Sequence, residues 1–261
     1  MKFWKAPILA MAVLLAAPPA SAADVEWHGY FQTLHGAGTS ETRGLDGQWL
    51  ASREKLQLAI TARAGDVSLT AKPDILHEDA DDSLEWGFRE LELAGHFGDL
   101  DWRVGRLIFA WGITDFWPVL DILNPYDYSL FRNFQPDDQK VAVTAGQLRY
   151  YLGDWEFEGT VLPRHEGFHF ASEPDDPWLF YGPRQLALAG IPLAVEPVAG
   201  DLSNAEFAGK IARPVGDWSI AGYAFHGRDR MGFPGMVFDP STGMPVGATM
   251  AHHRQSVFGL S

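Results

Sequence analysis

The sequence contains no cysteine, and its basic residues are outnumbered by acidic ones. Without Cys, a disulfide scaffold, a Cys-ligated zinc or iron–sulfur site and a Cys nucleophile are excluded. The 20 Lys and Arg stand against 34 Asp and Glu, giving a formal net charge of -14. This balance argues against a nucleic-acid partner, because nucleic-acid binding requires a basic face. Disorder is disfavoured, since 46% of the residues are hydrophobic and 13% are aromatic.

Long hydrophobic runs are missing beyond the N-terminus. Residues 1–22 combine two lysines, a short apolar stretch and an Ala-Ser-Ala cleavage signal, so a cleaved Sec signal peptide is predicted, followed by one domain at 23–261. The longest later apolar stretch, 186–198, is interrupted by Gly and Pro. No transmembrane helix is therefore predicted. The mature chain is expected to be an exported protein, either soluble in the periplasm or a barrel in the outer membrane.

Alternation of period two dominates the mature sequence. In 55–63, apolar Leu56, Leu58 and Ile60 alternate with polar residues, as in a strand between an apolar and a polar environment. Gly-Asp pairs at 65–66, 98–99, 153–154 and 216–217 separate successive alternating segments, and each predicts a tight β-hairpin. Long polar connections are predicted at 36–52, 77–83, 110–139, 163–204 and 227–251. Short turns therefore fall at one end of a sheet and long loops at the other.

These segments predict an all-β fold, an antiparallel up-and-down transmembrane β-barrel. The strands are expected near 26–35, 53–64, 67–76, 84–97, 101–109, 140–151, 155–162, 205–213, 218–226 and 252–261. Trp102, Trp155 and Trp218 follow tight turns, as in an interfacial aromatic girdle. A soluble β-sandwich is the alternative, but the inward positions include basic residues too polar for a dry core: Lys55, Arg63, Arg103, Arg149 and Lys210. Because the final strand ends without a terminal aromatic, the barrel is expected to be incomplete at the C-terminus, with a ten-stranded barrel as the other option.

A distinctive stretch begins at the end of the fifth predicted strand. Residues 105–115 read G-R-x4-W-G-x2-D, and residues 121–127 read D-x-L-N-P-x-D. This pattern resembles a poorly characterised family of proteobacterial outer-membrane β-barrel proteins, similar to alginate-export porins and often encoded beside transporters of the resistance–nodulation–division type. The resemblance covers the mature chain to about residue 134. It implies an outer-membrane barrel of unproven substrate and supplies no catalytic residues.

The segment 110–139 loses the alternation but contains three prolines and many aromatic residues. A long aromatic-rich loop must bury its apolar groups, and in a porin the available place is the lumen. We therefore predict that it folds inward as a constriction. The expected pore residues are Arg103, Arg106, Trp111, Asp115, Asp121, Asn124 and Asp127. The alternative is that the aspartates cap turns, with Asn124-Pro125 starting one.

The sequence His165-Glu166-Gly167-Phe168-His169 matches H-E-x-x-H, in which a helix places two His around zinc. Here it follows a strand and a proline and contains Gly, so nothing indicates the required helix. Ser and His residues are plentiful, as in barrel lipases, but no spacing singles out a pair. The chain is accordingly predicted not to be an enzyme, with no catalytic residue, no metal and no cofactor.

The favoured function is a porin-like channel for small solutes in the Gram-negative envelope. The alternative is a structural or accessory barrel of an envelope lipid or resistance–nodulation–division export system. A zinc-dependent hydrolase using 165–169 is the weakest interpretation. Expected partners are outer-membrane lipid and lipopolysaccharide, a small-molecule solute and an envelope transporter.

Overall fold

A computed structural model describes residues 24–38, 49–78, 83–111, 122–129, 139–172, 176 and 178–261. The predicted signal peptide at 1–22 lies outside the described residues, as do Asp115 and Asp121.

Ten long strands form one sheet in which each strand is antiparallel to its neighbours. They are β1 (Asp24–Ala37), β2 (Trp49–Ala64), β3 (Val67–Glu78), β4 (Ser83–Phe97), β5 (Leu100–Leu107), β7 (Val143–Leu152), β8 (Trp155–Leu162), β11 (Glu206–Val215), β12 (Trp218–Arg228) and β15 (Arg254–Leu260). They follow one another in the sheet in chain order. The prediction of an all-β, antiparallel up-and-down arrangement is confirmed. Within the described residues β1 and β15 stand at the two sheet edges.

The four Gly-Asp pairs form tight turns at one end of this sheet. Gly65, Gly98, Gly153 and Gly216 have φ of 57°, 58°, 57° and 61°, a left-handed conformation that glycine adopts without steric cost. Each turn directly joins two strands, as the sequence predicts. The strand ends that the long connections join therefore lie at the opposite end of the sheet.

The two faces of the sheet differ in chemistry. One face, called here the outer face, carries exposed apolar side chains, among them Val25, Trp27, Phe31, Leu58, Ile60, Leu148, Trp155, Phe207, Ile211, Trp218 and Phe258. The opposite inner face carries cross-strand ion pairs, because the alternate residues of each strand point there. These pairs are Glu26–Arg63, Arg53–Glu78, Lys72–Glu90, Glu92–Arg103, Arg149–Glu158 and Glu156–Lys210.

A hydrophobic core covers the loop end of the inner face. Strands β5, β7, β8, β11 and β12 contribute inner-face residues to it, and the chain that leaves β5 contributes others. Its members are Leu107, Phe109, Trp111, Leu123, Val143, Ala145, Leu162, Ala208, Ala212, Ala221, Tyr223 and Phe225. Small alanines on the sheet leave room for the large side chains that pack on it.

The long connections contain secondary structure of their own, contrary to the expectation of plain polar loops. They hold β6 (Asp127–Tyr128), β9 (His169–Phe170), helix α1 (Tyr181–Leu188), β10 (Leu193–Val195), a 3-10 helix (Leu202–Asn204), β13 (Phe233–Phe238) and β14 (Pro245–Ala251). A second sheet has the order β10-β14-β13, and β6 pairs with β9. In the part of the chain that the structure describes, no helix has the length and apolarity to cross a bilayer.

Candidate functional site

Asn124 fixes the segment 122–129 to the loop end of the inner face. Its side-chain oxygen accepts a hydrogen bond of 2.7 Å from the Phe109 N–H. Its side-chain nitrogen donates to the carbonyls of Leu107 at 3.0 Å and Val141 at 2.9 Å. Asn124 is 1% exposed. One buried amide therefore satisfies three backbone groups from both ends of the long connection, and it does so only when the segment lies against the sheet.

Trp111 lies across the inner face at the start of the same connection. Its Nε1–H donates to Glu158 on β8 at 2.8 Å, and its ring meets that of Tyr223 on β12 edge-on at 5.4 Å. Glu158 also accepts a hydrogen bond of 3.0 Å from Arg149. The indole is thus held by a carboxylate that is already paired, so neither polar group is left unsatisfied.

Arg103 on β5 lies next to Phe109, which follows shortly after that strand. Its Nε donates to Gln147 at 2.5 Å, and its guanidinium also pairs with Glu92 at 3.4 Å. The guanidinium carbon lies 4.8 Å from the centre of the Phe109 ring. Arg103 therefore contacts both the polar side chains of the inner face and the aromatic ring of Phe109.

A buried ion cluster joins two long connections to β11. Its members are His165, Glu206 and Arg230. The Arg230 guanidinium pairs with Glu206 at 2.6 Å and donates to the carbonyls of Leu123 at 2.9 Å and Glu166 at 3.0 Å. The His165 ring nitrogen Nδ1 lies 2.8 Å from Glu206.

This ion cluster is almost fully enclosed. Glu206 is 0% exposed and Arg230 is 5% exposed. Burial lowers the pKa of Arg230, and the facing Glu206 opposes that change. Because each charge has the other as its partner, removal of either would leave an uncompensated buried charge. The cluster therefore clamps the 122–125 segment and the 163–169 segment onto one strand.

Aromatic rings from two connections meet beside this clamp. Tyr128 stacks on Tyr126 at 5.9 Å and on Phe170 at 5.9 Å, and Phe168 meets Tyr128 edge-on at 5.5 Å. Burial raises the pKa of the Tyr128 phenol. The stacking extends the β6–β9 pairing into a small aromatic cluster that holds the two connections together.

The structure brings Arg103, Trp111 and Asn124 together on the inner face. Arg106 is placed elsewhere: it is paired with Thr144 and lies on the outer face of β5, since it is one residue out of phase with Arg103 and Leu107. Asp115 and Asp121 lie outside the described residues.

Asp127 caps a turn. Its carboxylate accepts hydrogen bonds from the Ser129 N–H at 2.9 Å and the Ser129 hydroxyl at 2.6 Å. This is the arrangement of the alternative interpretation, in which the aspartates of this segment hold turns.

The H-E-x-x-H residues do not have the geometry of a zinc site. Residues 165–168 are irregular and His169 is in the short strand β9, so the two histidines are not one turn apart on a helix. His165 is in the ion cluster, and Glu166 pairs with Arg164 at 3.1 Å. Among the described residues, no group of three or more His, Cys, Asp or Glu side chains is placed to hold a metal ion.

A charged cavity of about 440 Å³ opens at the turn end of the inner face. Its lining includes Arg63, Asp66, His96, Asp101 and Arg149. Both signs of charge face it, which suits a water-filled, polar space.

Sequence reasoning missed Glu206 and Arg230. Arg230 reaches the Leu123 carbonyl across 107 residues of sequence, and no periodicity links the two. The available signal was the position of Glu206: a carboxylate at an inner position among alanines of β11 requires a partner.

The fold thus defines a large antiparallel meander sheet with an apolar outer face and an ion-paired inner face. No protein-family model matches the chain, and no curated protein sequence matches it. Among solved structures, the chain is similar to OccK2 (OpdF) of Pseudomonas aeruginosa, an outer-membrane porin solved in complex with glucuronate. The alignment has 10% sequence identity and a TM-score of 0.36, and it covers 92% of this chain and 61% of that one. The chain therefore spans less than two thirds of that porin's length, and the assignment of the fold rests on the strand pairing itself.

Proposed function

We propose that the chain forms the wall of an outer-membrane channel through which small polar solutes pass. The proposal is supported by the contrast between the two faces of the sheet. An apolar outer face suits lipid, and an inner face of paired charges suits water, which is the alternation typical of transmembrane barrels. On this proposal residues 1–22 are the export signal and the outer face contacts lipid and lipopolysaccharide. Passage of the solute itself requires no cofactor and no chemical step.

The segment 110–139 narrows this channel. The observation that carries this part of the proposal is the burial of Asn124, whose three hydrogen bonds tie the segment to the inner face. Trp111 and Leu123 are buried in the same core, at 5% and 0% exposure. Detaching the segment would return this apolar surface to water, at about 25 cal/mol for each Å².

Single-channel recording tests the constriction. A deletion restricted to 113–120 spares Trp111, Leu123 and Asn124, so the docked ends of the segment are retained. We expect a larger conductance and weaker ion selectivity in a correctly assembled protein, because the segment no longer occupies the lumen. Replacement of the same residues by a Gly-Ser linker of equal length is the control for chain connectivity. Unchanged conductance in the deletion variant would make 110–139 an ordinary surface loop.

The same recordings separate transport from an accessory role in an export system. A channel gives discrete conductance steps in a bilayer containing only this protein. Absence of steps from a protein that has inserted and is correctly folded would favour the accessory barrel.

A further inference from the structure

A cationic side chain interrupts the apolar outer face near its turn end. Arg213 on β11 lies opposite Ile220 on β12. On its other side, the register of β11 with β8 places Trp155 opposite Arg213. Ile220 and Trp155 are outer-face residues with 51% and 40% of their surface exposed. Because residues opposite one another on paired strands share a face, Arg213 lies on the outer face between these two neighbours.

The Arg213 guanidinium contacts an aromatic ring but no carboxylate. Its central carbon lies 4.8 Å from the centre of the Trp155 ring. Its Nε is enclosed and has no hydrogen-bond acceptor. The side chain as a whole is partly exposed, so its terminal nitrogens can reach a group outside the protein. Among the residues that the structure describes, none forms an ion pair with this arginine.

Basic residues of the inner face, by contrast, are paired within the protein. Lys210 lies on the same strand as Arg213 and pairs with Glu156 at 3.1 Å. Carboxylates also pair with Arg63, Lys72, Arg103 and Arg149. An unpaired arginine that faces lipid is unfavourable in the middle of a bilayer and becomes tolerable near the headgroups. The position of Arg213 along the strand is therefore decisive.

Arg213 lies at the height expected for lipid headgroups. It is two positions before the end of β11 at Val215, which is about 7 Å along a strand. Trp218 begins β12 directly after the turn at 216–217, and 78% of its surface is exposed. Exposed Trp side chains are enriched where a membrane meets water. A headgroup phosphate at this height has oxygens that match the planar fork of a guanidinium.

We propose that Arg213 binds the phosphate of a phospholipid whose acyl chains lie along the outer face. The Trp155 ring orients the guanidinium from one side. The exposed side chains of Phe157, Ile211 and Ile220 lie next along the three strands toward the middle of the face, where they contact the acyl chains. This inference rests on the membrane location in the proposed function but not on solute passage.

The test uses the full chain purified in a mild detergent, and native mass spectrometry measures lipid retained over a series of lipid concentrations. The probes are phosphatidylglycerol and the diacylglycerol with the same acyl chains, which lacks the phosphate. We expect the unchanged protein to hold phosphatidylglycerol more tightly than diacylglycerol. Arg213→Gln should weaken binding of the tightest-held phosphatidylglycerol by about 10-fold and leave diacylglycerol binding unchanged. Arg213→Lys keeps the charge without the fork and should be intermediate.

Lys210→Gln is the matched control, because it removes the same charge from the same strand on the opposite face of the sheet. It should leave the retention of both lipids unchanged. Glycerol phosphate, added in an amount equal to the phospholipid, distinguishes a lipid site from a site for a free phosphate ester. We expect it to leave the phospholipid bound, because it lacks the acyl chains that the outer face contacts.

Equal binding of phosphatidylglycerol and diacylglycerol by the unchanged protein would overturn the phosphate site, as would unchanged binding in Arg213→Gln. An equal loss in Lys210→Gln would assign the effect to net charge, and displacement by glycerol phosphate would overturn the lipid as ligand. Membrane fractionation and single-channel recording of Arg213→Gln report on the proposed function separately. A protein absent from the membrane would refute its location, whereas a conducting Arg213→Gln variant with unchanged lipid binding would refute only this site.

Discussion

Replacing Asn124 by Ala tests whether the buried amide holds the 122–129 segment on the inner face. The substitution leaves three backbone groups without their partner: the Phe109 N–H and the Leu107 and Val141 carbonyls. A buried polar group without a hydrogen bond costs about 1–3 kcal/mol, so the docked state should lose about 3 kcal/mol or more. That amount changes the ratio of docked to detached segment by about 100-fold.

The measurements are single-channel conductance and the urea midpoint of unfolding. We expect Asn124→Ala to show larger or more variable conductance steps and a lower midpoint. Asn124→Asp keeps the acceptor for Phe109 but faces two carbonyl oxygens with a carboxylate, so it should be at least as disruptive. Asn204→Ala is the control, because this buried amide bonds to Ala199 and Arg228 rather than to the segment. It should lower the midpoint and leave conductance unchanged. If both Asn124 variants behave like the unchanged protein in both assays, the amide does not dock the segment.

Three further substitutions probe the sheet and the clamp. Gly105→Ala should prevent barrel assembly, because its Cβ would lie 2.0 Å from a backbone oxygen of β4 and because the φ of this residue is +140°. Gly146→Ala is the control, since its Cβ would meet nothing within 4 Å. A heat-modifiability assay should show normal assembly for the Gly146 variant only. Glu206→Gln should lower the free energy of unfolding by about 3–5 kcal/mol, because Arg230 is left as an uncompensated buried charge. Adding Arg230→Met should restore part of that free energy, because it removes the buried charge. A double variant that loses more stability than the two single variants together would contradict the ion pair. Trp111→Phe loses one hydrogen bond to a charged group and should cost about 1.5–3 kcal/mol in urea unfolding, and no change would show that the indole N–H is dispensable.

Much of the sheet is predictable from local sequence. The Gly-Asp pairs set the turns, and alternation sets the strands between them, so β8 is found at its predicted bounds of 155–162. The largest differences are at the loop ends: β2 begins at 49 rather than 53, and β7 at 143 rather than 140. At these ends alternation fades, and pairing with the neighbouring strand decides where the strand stops.

The connections and the clamp were less accessible to sequence reasoning. The β13–β14 hairpin turns through Asp239-Pro240-Ser241-Thr242-Gly243, which is a turn signal that a purely polar interpretation of 227–251 overlooked. The Trp111–Glu158 and Arg230–Leu123 contacts join residues 47 and 107 positions apart. Such contacts depend on the order of the strands in the sheet and on the path of the connections over it, and no local sequence pattern encodes either.

The shared core has a consequence for the order in which the protein assembles. Trp111 and Leu123 are synthesised before β11 and β12, yet Tyr223 and Arg230 supply part of the surface that buries them. The surface that buries Trp111 and Leu123 is therefore incomplete until about a hundred further residues have folded. Closing contacts over such separations is slow compared with forming each hairpin. Docking of the segment is thus a late event, and the wall is largely built before its interior is narrowed. Until then Trp111 and Leu123 remain uncovered, and exposed apolar side chains of an incompletely folded chain favour aggregation.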